Sequence, residues 1–289
     1  MERAAGMVGN REERVAVGVC QIRQGYDFRD NMRRAAELVR SAARNGARIC
    51  VLPEMFLTPY EPAAIRQAAA FSPGALELMK EAAEGEGVYV VAGSVPWRAP
   101  HGGKFFNRCH VLDPLGRVIH VHDKLHLFDC NPPGGPSVKE SETIEAGDRL
   151  GHFPTPWGNA AVVICYDIRF PQLVQILADS DVRLLFVPSA FSQATGRAHW
   201  EMLVRMRALE LQAYVAGVQP AFNPGLAYVP WGRSVVASAW GDVVARLGED
   251  EDARVVDLDM TLVDDIRSRF PLLAHRRTDI YETRWKGPS

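Results

Sequence analysis

The sequence predicts an α/β fold in which helices cover mixed β-sheets. Helical and strand patterns alternate along most of the 289 residues, as they do where helices connect neighbouring strands of one sheet. Between residues 109 and 121, two strand patterns instead flank the turn Asp113-Pro114-Leu115-Gly116, which is typical of an antiparallel hairpin. Because both kinds of strand pairing are indicated, we expect mixed sheets.

The spacing of apolar residues predicts the elements of the first half. Residues 14–21 alternate in the manner of a strand, whereas residues 30–45 place Met32, Leu38 and Val39 on one helical face. Further strands are predicted at 48–52, 88–95, 109–112 and 118–121, and a further helix at 75–84.

The second half continues the alternation. A strand pattern at 160–165 precedes a helix at 171–178, and its first residue, Pro171, is suited to a helix N-terminus because proline lacks an N–H. The remaining predicted elements are a strand at 183–188, a helix at 199–212 and strands at 214–219, 234–238 and 253–258.

The composition is that of a globular protein with small-molecule partners. Of its residues 47% are hydrophobic, and 33 basic side chains nearly balance 35 acidic ones. The sequence has neither a basic block nor an apolar run long enough to span a bilayer, so we expect no nucleic-acid or membrane partner. Residues 1–13 are polar and lack the apolar core of a secretion signal. We therefore predict a flexible leader at 1–13, a single domain at 14–289 and a cytoplasmic location.

The cysteines and histidines predict neither disulfides nor a metal site. Five cysteines cannot all pair, and none has the CxxC spacing of a zinc or redox motif. His120, His122 and His126 crowd one segment, but their spacing along a strand and its following loop does not bring three imidazoles together.

Cys165 occupies the most informative position, because an apolar strand pattern ends there and a helical pattern soon begins. Such a turn exposes a side chain at the sheet edge beside free backbone N–H groups, which suits a nucleophile. The alternative is a buried cysteine at a strand end, since cysteine is among the most buried residue types.

Two other ionisable residues end apolar strand patterns in the same way. Glu54 follows the apolar residues 49–53, where burial would raise the pKa of its carboxyl towards the range of a general base. Lys124 lies among apolar and histidine side chains at 118–128. The alternatives are a glutamate that turns outward to pair at the surface and a lysine whose amine extends into solvent.

In their order and context, Glu54, Lys124 and Cys165 resemble the Glu-Lys-Cys triad of the nitrilase superfamily, the carbon–nitrogen hydrolases. The similarity runs through nearly the whole chain. It is carried by Leu52-Pro53-Glu54, Asp123-Lys124-Leu125-His126-Leu127-Phe128, Cys165-Tyr166-Asp167-Ile168-Arg169-Phe170-Pro171 and the segments 189–191 and 195–200. The resemblance implies an αββα four-layer sandwich of two mixed β-sheets.

The resemblance also implies a role for each residue in amide hydrolysis. Cys165 attacks the carbonyl, Glu54 accepts and returns the proton, and Lys124 with the Tyr166 backbone N–H stabilises the oxyanion. Water then hydrolyses a thioester, and no metal or organic cofactor is needed. Glu140 matches the second glutamate of the family, which orients the lysine or the substrate; its alternative is a solvated loop carboxylate.

Within the superfamily the chain is most similar to the ω-amidases, which release ammonia from 2-oxo acid monoamides such as 2-oxoglutaramate and 2-oxosuccinamate. Residues 124–129, 139–141 and 230–234 carry this finer match. The loop 130–135 and Arg197, where relatives usually have proline, depart from it close to the expected substrate position. The alternatives are a deaminated glutathione amidase, an N-carbamoyl-amine hydrolase, an aliphatic amidase, a nitrilase or a non-catalytic binding protein.

Six residues are expected to bind the substrate. The guanidinium of Arg169 would pair with a distal carboxylate, unless it forms a structural ion pair with Asp167 or another acidic residue. Aromatic walls and one hydroxyl would select a short, planar 2-oxo acid. The candidates are Tyr60, Phe128, Tyr166, Arg169, Phe191 and Thr195.

The resemblance further implies a homodimer or higher homo-oligomer. Residues 270–281 carry more apolar and aromatic side chains than a free tail usually keeps. We therefore predict that this segment packs across a dimer interface.

Overall fold

Two β-sheets lie face to face at the centre of the structure, and helices cover the outer face of each. The structure, a computed structural model, describes residues 11–100 and 102–288. Most of the predicted leader therefore lies outside the described residues. Residues 11–13 already contact the domain, since Arg11 pairs with Asp181 at 2.9 Å and the Met260 N–H donates to the Glu13 carbonyl at 2.7 Å.

The strands and helices are distributed along the whole described chain. The strands are β1 (Arg14–Gln21), β2 (Ile49–Val51), β3 (Tyr89–Val91), β4 (Val95–Arg98), β5 (Phe105–Leu112), β6 (Val118–Asp123), β7 (Asp129–Cys130), β8 (Val138–Lys139), β9 (Ile144–Glu145), β10 (His152–Thr155), β11 (Gly158–Val162), β12 (Val182–Pro188), β13 (Tyr214–Val218), β14 (Val235–Ala237), β15 (Val243–Arg246) and β16 (Asp252–Asp259). The helices are α1 (Phe28–Arg44), α2 (Pro62–Ala68), α3 (Ser72–Glu86), α4 (Pro171–Ala178), α5 (Gln193–Leu211) and α6 (Thr261–Arg269), with 3₁₀ helices at Glu140–Glu142 and Cys165–Arg169.

Both large sheets are mixed. The first has the order β16-β1-β2-β3-β5-β4, with β6 and β9 also paired to β5; β1, β2 and β3 are parallel, whereas β16, β4 and β6 pair antiparallel to their neighbours. The second runs from β10 to β15 in chain order, with β11, β12 and β13 parallel. The predicted hairpin of β5 and β6 is confirmed.

Alternation along the strands separates the layers. In β1 and β2, Val19 and Val51 point between the sheets, whereas Cys20 and Cys50 point towards α1 and α3. Helix α1 packs closely against β1 at Gly18, where an added Cβ would lie 2.7 Å from the Cβ of Ala42. Helices α4 and α5 cover the second sheet in the same way, which gives the predicted αββα sandwich.

One predicted strand, at 88–95, is wrong because the chain breaks between β3 and β4. Gly93 has a φ of +48°, and a Cβ there would lie 2.1 Å from the Pro53 carbonyl oxygen. The next residue supports the end of β2, since Ser94 Oγ accepts a hydrogen bond from the Met55 N–H at 2.9 Å. The break therefore braces the segment that carries Glu54.

Candidate active site

The three predicted catalytic residues each follow the end of a strand. Glu54 follows β2, Lys124 follows β6, and Cys165 follows β11. The first two belong to one sheet and Cys165 to the other, so the site forms where the ends of the two sheets meet. The Lys124 N–H donates to the Asn107 carbonyl of β5 at 3.0 Å, which fixes the backbone that carries the lysine.

The ammonium of Lys124 lies between two buried carboxylates. Its Nζ is 2.9 Å from Glu54 Oε1 and 2.9 Å from Glu140 Oε2, and all three side chains are at most 1% exposed. The ammonium also donates to the Tyr60 hydroxyl at 3.2 Å, and Asn107 Nδ2 donates to Glu54 Oε1 at 2.8 Å. None of the surface alternatives for these residues is realised. Burial of a charge is tolerated here because each charged group has opposite or hydrogen-bonding partners.

The protonation states follow from this burial. Burial raises the pKa of Glu54, although Lys124 opposes the shift. Burial alone would lower the pKa of Lys124, but the charges of Glu140 and Glu54 raise it well above its usual value, so the amine stays protonated. Burial and the Glu54 charge likewise raise the pKa of Cys165 well above its usual value. Lys124 favours the thiolate, as expected, but is outweighed, and the resting group is a neutral thiol.

One oxygen of Glu54 is free to accept the proton of the Cys165 thiol. Glu54 Oε1 accepts hydrogen bonds from Lys124 and Asn107, whereas Oε2 is buried and has no hydrogen-bond partner among the described residues. The Glu54 and Cys165 side chains lie near enough for each to perturb the pKa of the other. The arrangement therefore leaves one oxygen of the Glu54 base without a hydrogen-bond donor near the thiol.

The turn at Cys165 is held in an unusual conformation. Cys165 has a φ of +48°, which a non-glycine residue adopts only when its surroundings fix it. The buried carboxylate of Asp167 accepts from the Ile164 N–H at 3.0 Å and from the His126 N–H at 2.9 Å, and it contacts His122 Nε2 at 3.2 Å. Asp167 thus links the cysteine-bearing turn to the lysine-bearing segment.

The histidine segment supports this link. His122 and His126 both contact Asp167, while the His120 ring packs 5.3 Å from that of Phe153. Burial alone would raise the pKa of Asp167, but the two histidine contacts hold it well below its usual range. Within the described residues, no group of histidine, cysteine and acidic side chains is arranged to hold a metal ion.

A narrow cavity opens beside the thiol. Lys124 and Cys165 line it, whereas Glu54 and Glu140 are enclosed by protein. The six side chains predicted to bind substrate all line it as well, namely Tyr60, Phe128, Tyr166, Arg169, Phe191 and Thr195.

The guanidinium of Arg169 has no carboxylate partner among the described residues. It lies 4.8 Å from the ring centroid of Phe191 and 5.8 Å from that of Tyr166, and its Nη1 is 3.2 Å from His199 Nδ1. The alternative ion pair with Asp167 does not form, because that carboxylate is occupied elsewhere. A positive charge without a counter-ion therefore lies at the cavity wall.

Two residues that contribute to the site were not predicted from the sequence. Tyr228 lines the cavity, donates to the Ala190 carbonyl at 2.7 Å and packs with its ring centroid 5.4 Å from that of Tyr60. It lies just before residues 230–234, which carry part of the family likeness, but no periodic pattern marks it. Asn107 lies in β5 before the predicted strand at 109–112, and nothing in the local sequence indicates its contacts.

The two departures from the ω-amidase pattern lie differently with respect to the cavity. In the loop 130–135, Cys130 Sγ contacts the Tyr166 hydroxyl at 3.4 Å, so this loop borders a lining residue. Arg197 is exposed in the first turn of α5 and does not line the cavity.

Comparison with known proteins agrees with this geometry. A family model described as carbon-nitrogen hydrolase matches residues 16–268. The chain belongs to the carbon–nitrogen hydrolase family. This hydrolase is similar to the protein named omega-amidase NIT2 of Danio rerio, with 42% identity over 92% of this chain and 95% of the relative. The Homo sapiens protein of the same name is 38% identical, over 90% of this chain and 94% of its own.

A solved structure gives the same result for the fold of this carbon–nitrogen hydrolase. The crystal structure of the C. elegans NitFhit protein matches with a TM-score of 0.90 and 31% identity, and the match covers 96% of this chain and 69% of that one. The predicted membership of the superfamily is therefore confirmed.

In the described part of the chain, no helix is both long and apolar enough to cross a membrane.

Proposed function

We propose that this carbon–nitrogen hydrolase is an ω-amidase that releases ammonia from small carboxylate-bearing amides of the 2-oxoglutaramate and 2-oxosuccinamate type. The observation that carries the proposal is a narrow cavity with the Cys165 thiol on one wall and the unpaired guanidinium of Arg169 on another. Relatives that bear the name omega-amidase, at 38% and 42% identity over nine-tenths of the chain, support it.

The first half-reaction breaks the carbon–nitrogen bond. Cys165 Sγ bonds to the amide carbon while its proton passes to Glu54 Oε2, and the carbonyl oxygen gains the negative charge. Lys124 and the Tyr166 N–H stabilise this oxyanion, because the first N–H groups of a helix have no partner within it. When the intermediate collapses, Glu54 returns the proton to nitrogen, ammonia leaves and a thioester remains.

The second half-reaction restores the enzyme. Water attacks the thioester carbon while Glu54 accepts one of its protons, and the same donors stabilise the second oxyanion. The carbon–sulfur bond then breaks, the carboxylic acid leaves and Cys165 regains its proton from Glu54. Glu54 accepts a proton at the start of each half-reaction, first from the neutral thiol and then from water, so each half-reaction must begin with an unprotonated Glu54 carboxylate.

Glu140 completes the charge arrangement without meeting the substrate. Both of its oxygens contact Lys124 Nζ, at 3.1 and 2.9 Å, and Oε2 also accepts from the Phe128 N–H at 2.7 Å. We propose that Glu140 fixes the lysine and keeps it charged. It therefore acts as a positioning residue rather than as a second base.

The cavity accounts for the substrate class. Its aromatic walls, which include Phe128, Tyr166 and Phe191, are suited to contact a short planar chain. Arg169 would bind the distal carboxylate in a charge-assisted pair. We propose that the Thr195 hydroxyl, which lies 3.2 Å from Ser192 Oγ, donates to the 2-oxo group or the same carboxylate.

The test is ammonia release from a panel of 2-oxoglutaramate, 2-oxosuccinamate, deaminated glutathione, glutamine, an N-carbamoyl amine and an aliphatic amide. We expect fast release from the two 2-oxo monoamides alone, none from Cys165→Ala, and near-normal release from Cys109→Ala, which removes another buried thiol. Faster release from deaminated glutathione would instead favour the sister amidase. Silence on all six substrates would refute the proposal.

We also propose that the protein is cytoplasmic and forms a homodimer or higher homo-oligomer. Residues 270–281 lie along α4 of their own chain, where Arg276 pairs with Asp179, but they leave Phe270, Ile280 and Tyr281 more than half exposed. Light scattering of the full chain should give a dimer or larger species. Truncation at Phe270 should give a monomer, whereas Arg284→Ala should change nothing; a dimeric truncation would contradict this interface.

A further inference from the structure

Asn107 contacts both carboxylates of the buried cluster and the backbone of its lysine. Its Nδ2 donates to Glu54 Oε1 at 2.8 Å and to Glu140 Oε1 at 3.3 Å, and its carbonyl accepts the Lys124 N–H at 3.0 Å. The side chain is fully buried in β5. Asn107 does not line the cavity, so it acts on the cluster and not on the substrate.

The orientation of the Asn107 amide is fixed by charge. Reversing it would place the carbonyl oxygen against two carboxylate oxygens, so the NH₂ group must face Glu54 and Glu140. In this orientation Oδ1 is buried without a hydrogen-bond partner among the described residues. A buried unpaired oxygen costs stability, so the position is not one that folding alone would favour.

The amide supplies donors that the lysine lacks. Lys124 has three N–H groups, and Glu54, Glu140 and Tyr60 already accept from them. Two carboxylates and one ammonium leave the cluster with one excess negative charge. The NH₂ group of Asn107 stabilises that charge without adding another ionisable group, and its bond to Glu54 Oε1 holds this oxygen from a second direction.

We propose that Asn107 is a positioning residue that holds Oε1 of Glu54 and so presents Oε2 to the Cys165 thiol. The proposal rests on the proposed function, in which Glu54 is the base. It assigns Asn107 the task of keeping the base ionised and oriented, so that this task does not depend on Lys124 alone. An aliphatic residue of the same shape would leave the fold and the cavity intact but would release the base.

The test separates this role from a structural one by its pH dependence. Asn107→Leu removes a hydrogen bond to the charged form of Glu54, so the pKa of Glu54 should rise further. The acidic limb of kcat/KM should then move to higher pH by about 1–2 units, since one hydrogen bond to a charged group has an effect of that size. Below the limb the rate should fall about 10- to 100-fold, and at high pH most of it should return.

A second measurement does not depend on the substrate. Alkylation of Cys165 by iodoacetamide also needs removal of the thiol proton, so its rate should show the same displaced limb in Asn107→Leu. If the wild-type enzyme released no ammonia from any amide but alkylation showed the shift, the proposed substrate would fail while the role of Asn107 would stand.

The matched control is Asn31→Leu. Asn31 is 1% exposed and its Nδ2 also donates to two acceptors, but these are the Gly25 and Leu57 carbonyls. This variant should lose stability without moving the limb. An unmoved limb in Asn107→Leu, or an equal shift in Asn31→Leu, would overturn the proposal. If Asn107→Leu does not fold, Asn107→Ser, whose hydroxyl is too short to reach both carboxylates, should show the same direction of shift.

Discussion

Replacing Lys124 by methionine should destabilise the fold in a strongly pH-dependent way. The substitution keeps the length of the side chain but removes the only cation that contacts Glu54 and Glu140 among the described residues. Both carboxylates are at most 1% exposed, so water cannot replace the ammonium. Removing one partner of a buried ion pair costs about 3–5 kcal/mol, and we expect the loss in the free energy of unfolding to lie in this range at neutral pH.

The sign of the pH dependence follows from Glu54. Burial already raises its pKa, and loss of the lysine charge should raise it further. A group whose folded pKa is raised is harmless below its unfolded value of about 4.3 and becomes destabilising as the pH rises towards the folded value. The stability difference between Lys124→Met and wild type should therefore be small near pH 5 and largest near pH 8.

The assay is urea unfolding of both proteins across this pH range, together with ammonia release. Lys80→Met is the control, since Lys80 forms a half-exposed pair with Glu77 at 2.8 Å and such pairs contribute about 0–1 kcal/mol. Lys124→Met should also lose turnover, because a neutral side chain cannot stabilise the oxyanion. A loss below about 1 kcal/mol at pH 8, or one that does not vary with pH, would refute the reasoning about the buried cluster.

Three further predictions concern the cavity and its supports. Arg169→Met should lower kcat/KM for carboxylate-bearing amides about 10- to 100-fold, because a charge-assisted pair is lost, and should leave kcat/KM for a simple aliphatic amide unaffected. An unchanged substrate ranking would contradict this role of Arg169, as would an equal effect of Arg197→Met, the control at an exposed arginine. Burial raises the pKa of Glu54, so wild-type kcat/KM should rise with pH through a limb whose midpoint lies above about 4.3, the ordinary pKa of glutamate. A midpoint at or below that pH in a pH–rate profile would exclude Glu54 as the base. Asp167→Asn should lower the free energy of unfolding by about 3 kcal/mol at neutral pH and by less in acid. The stability that a depressed pKa contributes is complete above the unfolded value and is lost as the pH falls towards the folded value. Equal losses at pH 3 and pH 7 in urea unfolding would refute this.

Several elements of the fold could be predicted because the spacing of apolar residues within each short segment indicates them. The fully buried strands β12 and β13 and the helix α4 were placed within a residue or so of their observed bounds. The hairpin of β5 and β6 was found because its turn has a recognisable composition. Elements with weak apolar patterns were missed, such as the edge strands β10 and β15, which are only partly buried.

Other boundaries depend on contacts between distant residues. The helix predicted at 199–212 begins six residues earlier in the structure, at Gln193. The additional first turns contain Gly196, and glycine is unfavourable within a helix, so local sequence does not favour this start. In the structure this glycine is needed, since a Cβ there would lie 2.2 Å from Trp231 Cγ. The strand predicted at 160–165 stops at Val162, and Cys165 instead begins a 3₁₀ helix.

Read from the chain alone, helix and strand periodicity predicts an α/β class with mixed sheets, whereas the resemblance of the ordered motifs implies the family, its αββα sandwich and the charged residues at the strand ends. These signals are readable because each lies within a short segment. Which groups meet, and in what protonation state, depends on tertiary packing. Asn107, Glu54 and Glu140 are separated by more than 30 residues from one another, yet they share hydrogen bonds. The neutral thiol of Cys165 likewise results from burial between two sheets. Packing brings these groups together and removes water from them, and no local pattern records either effect.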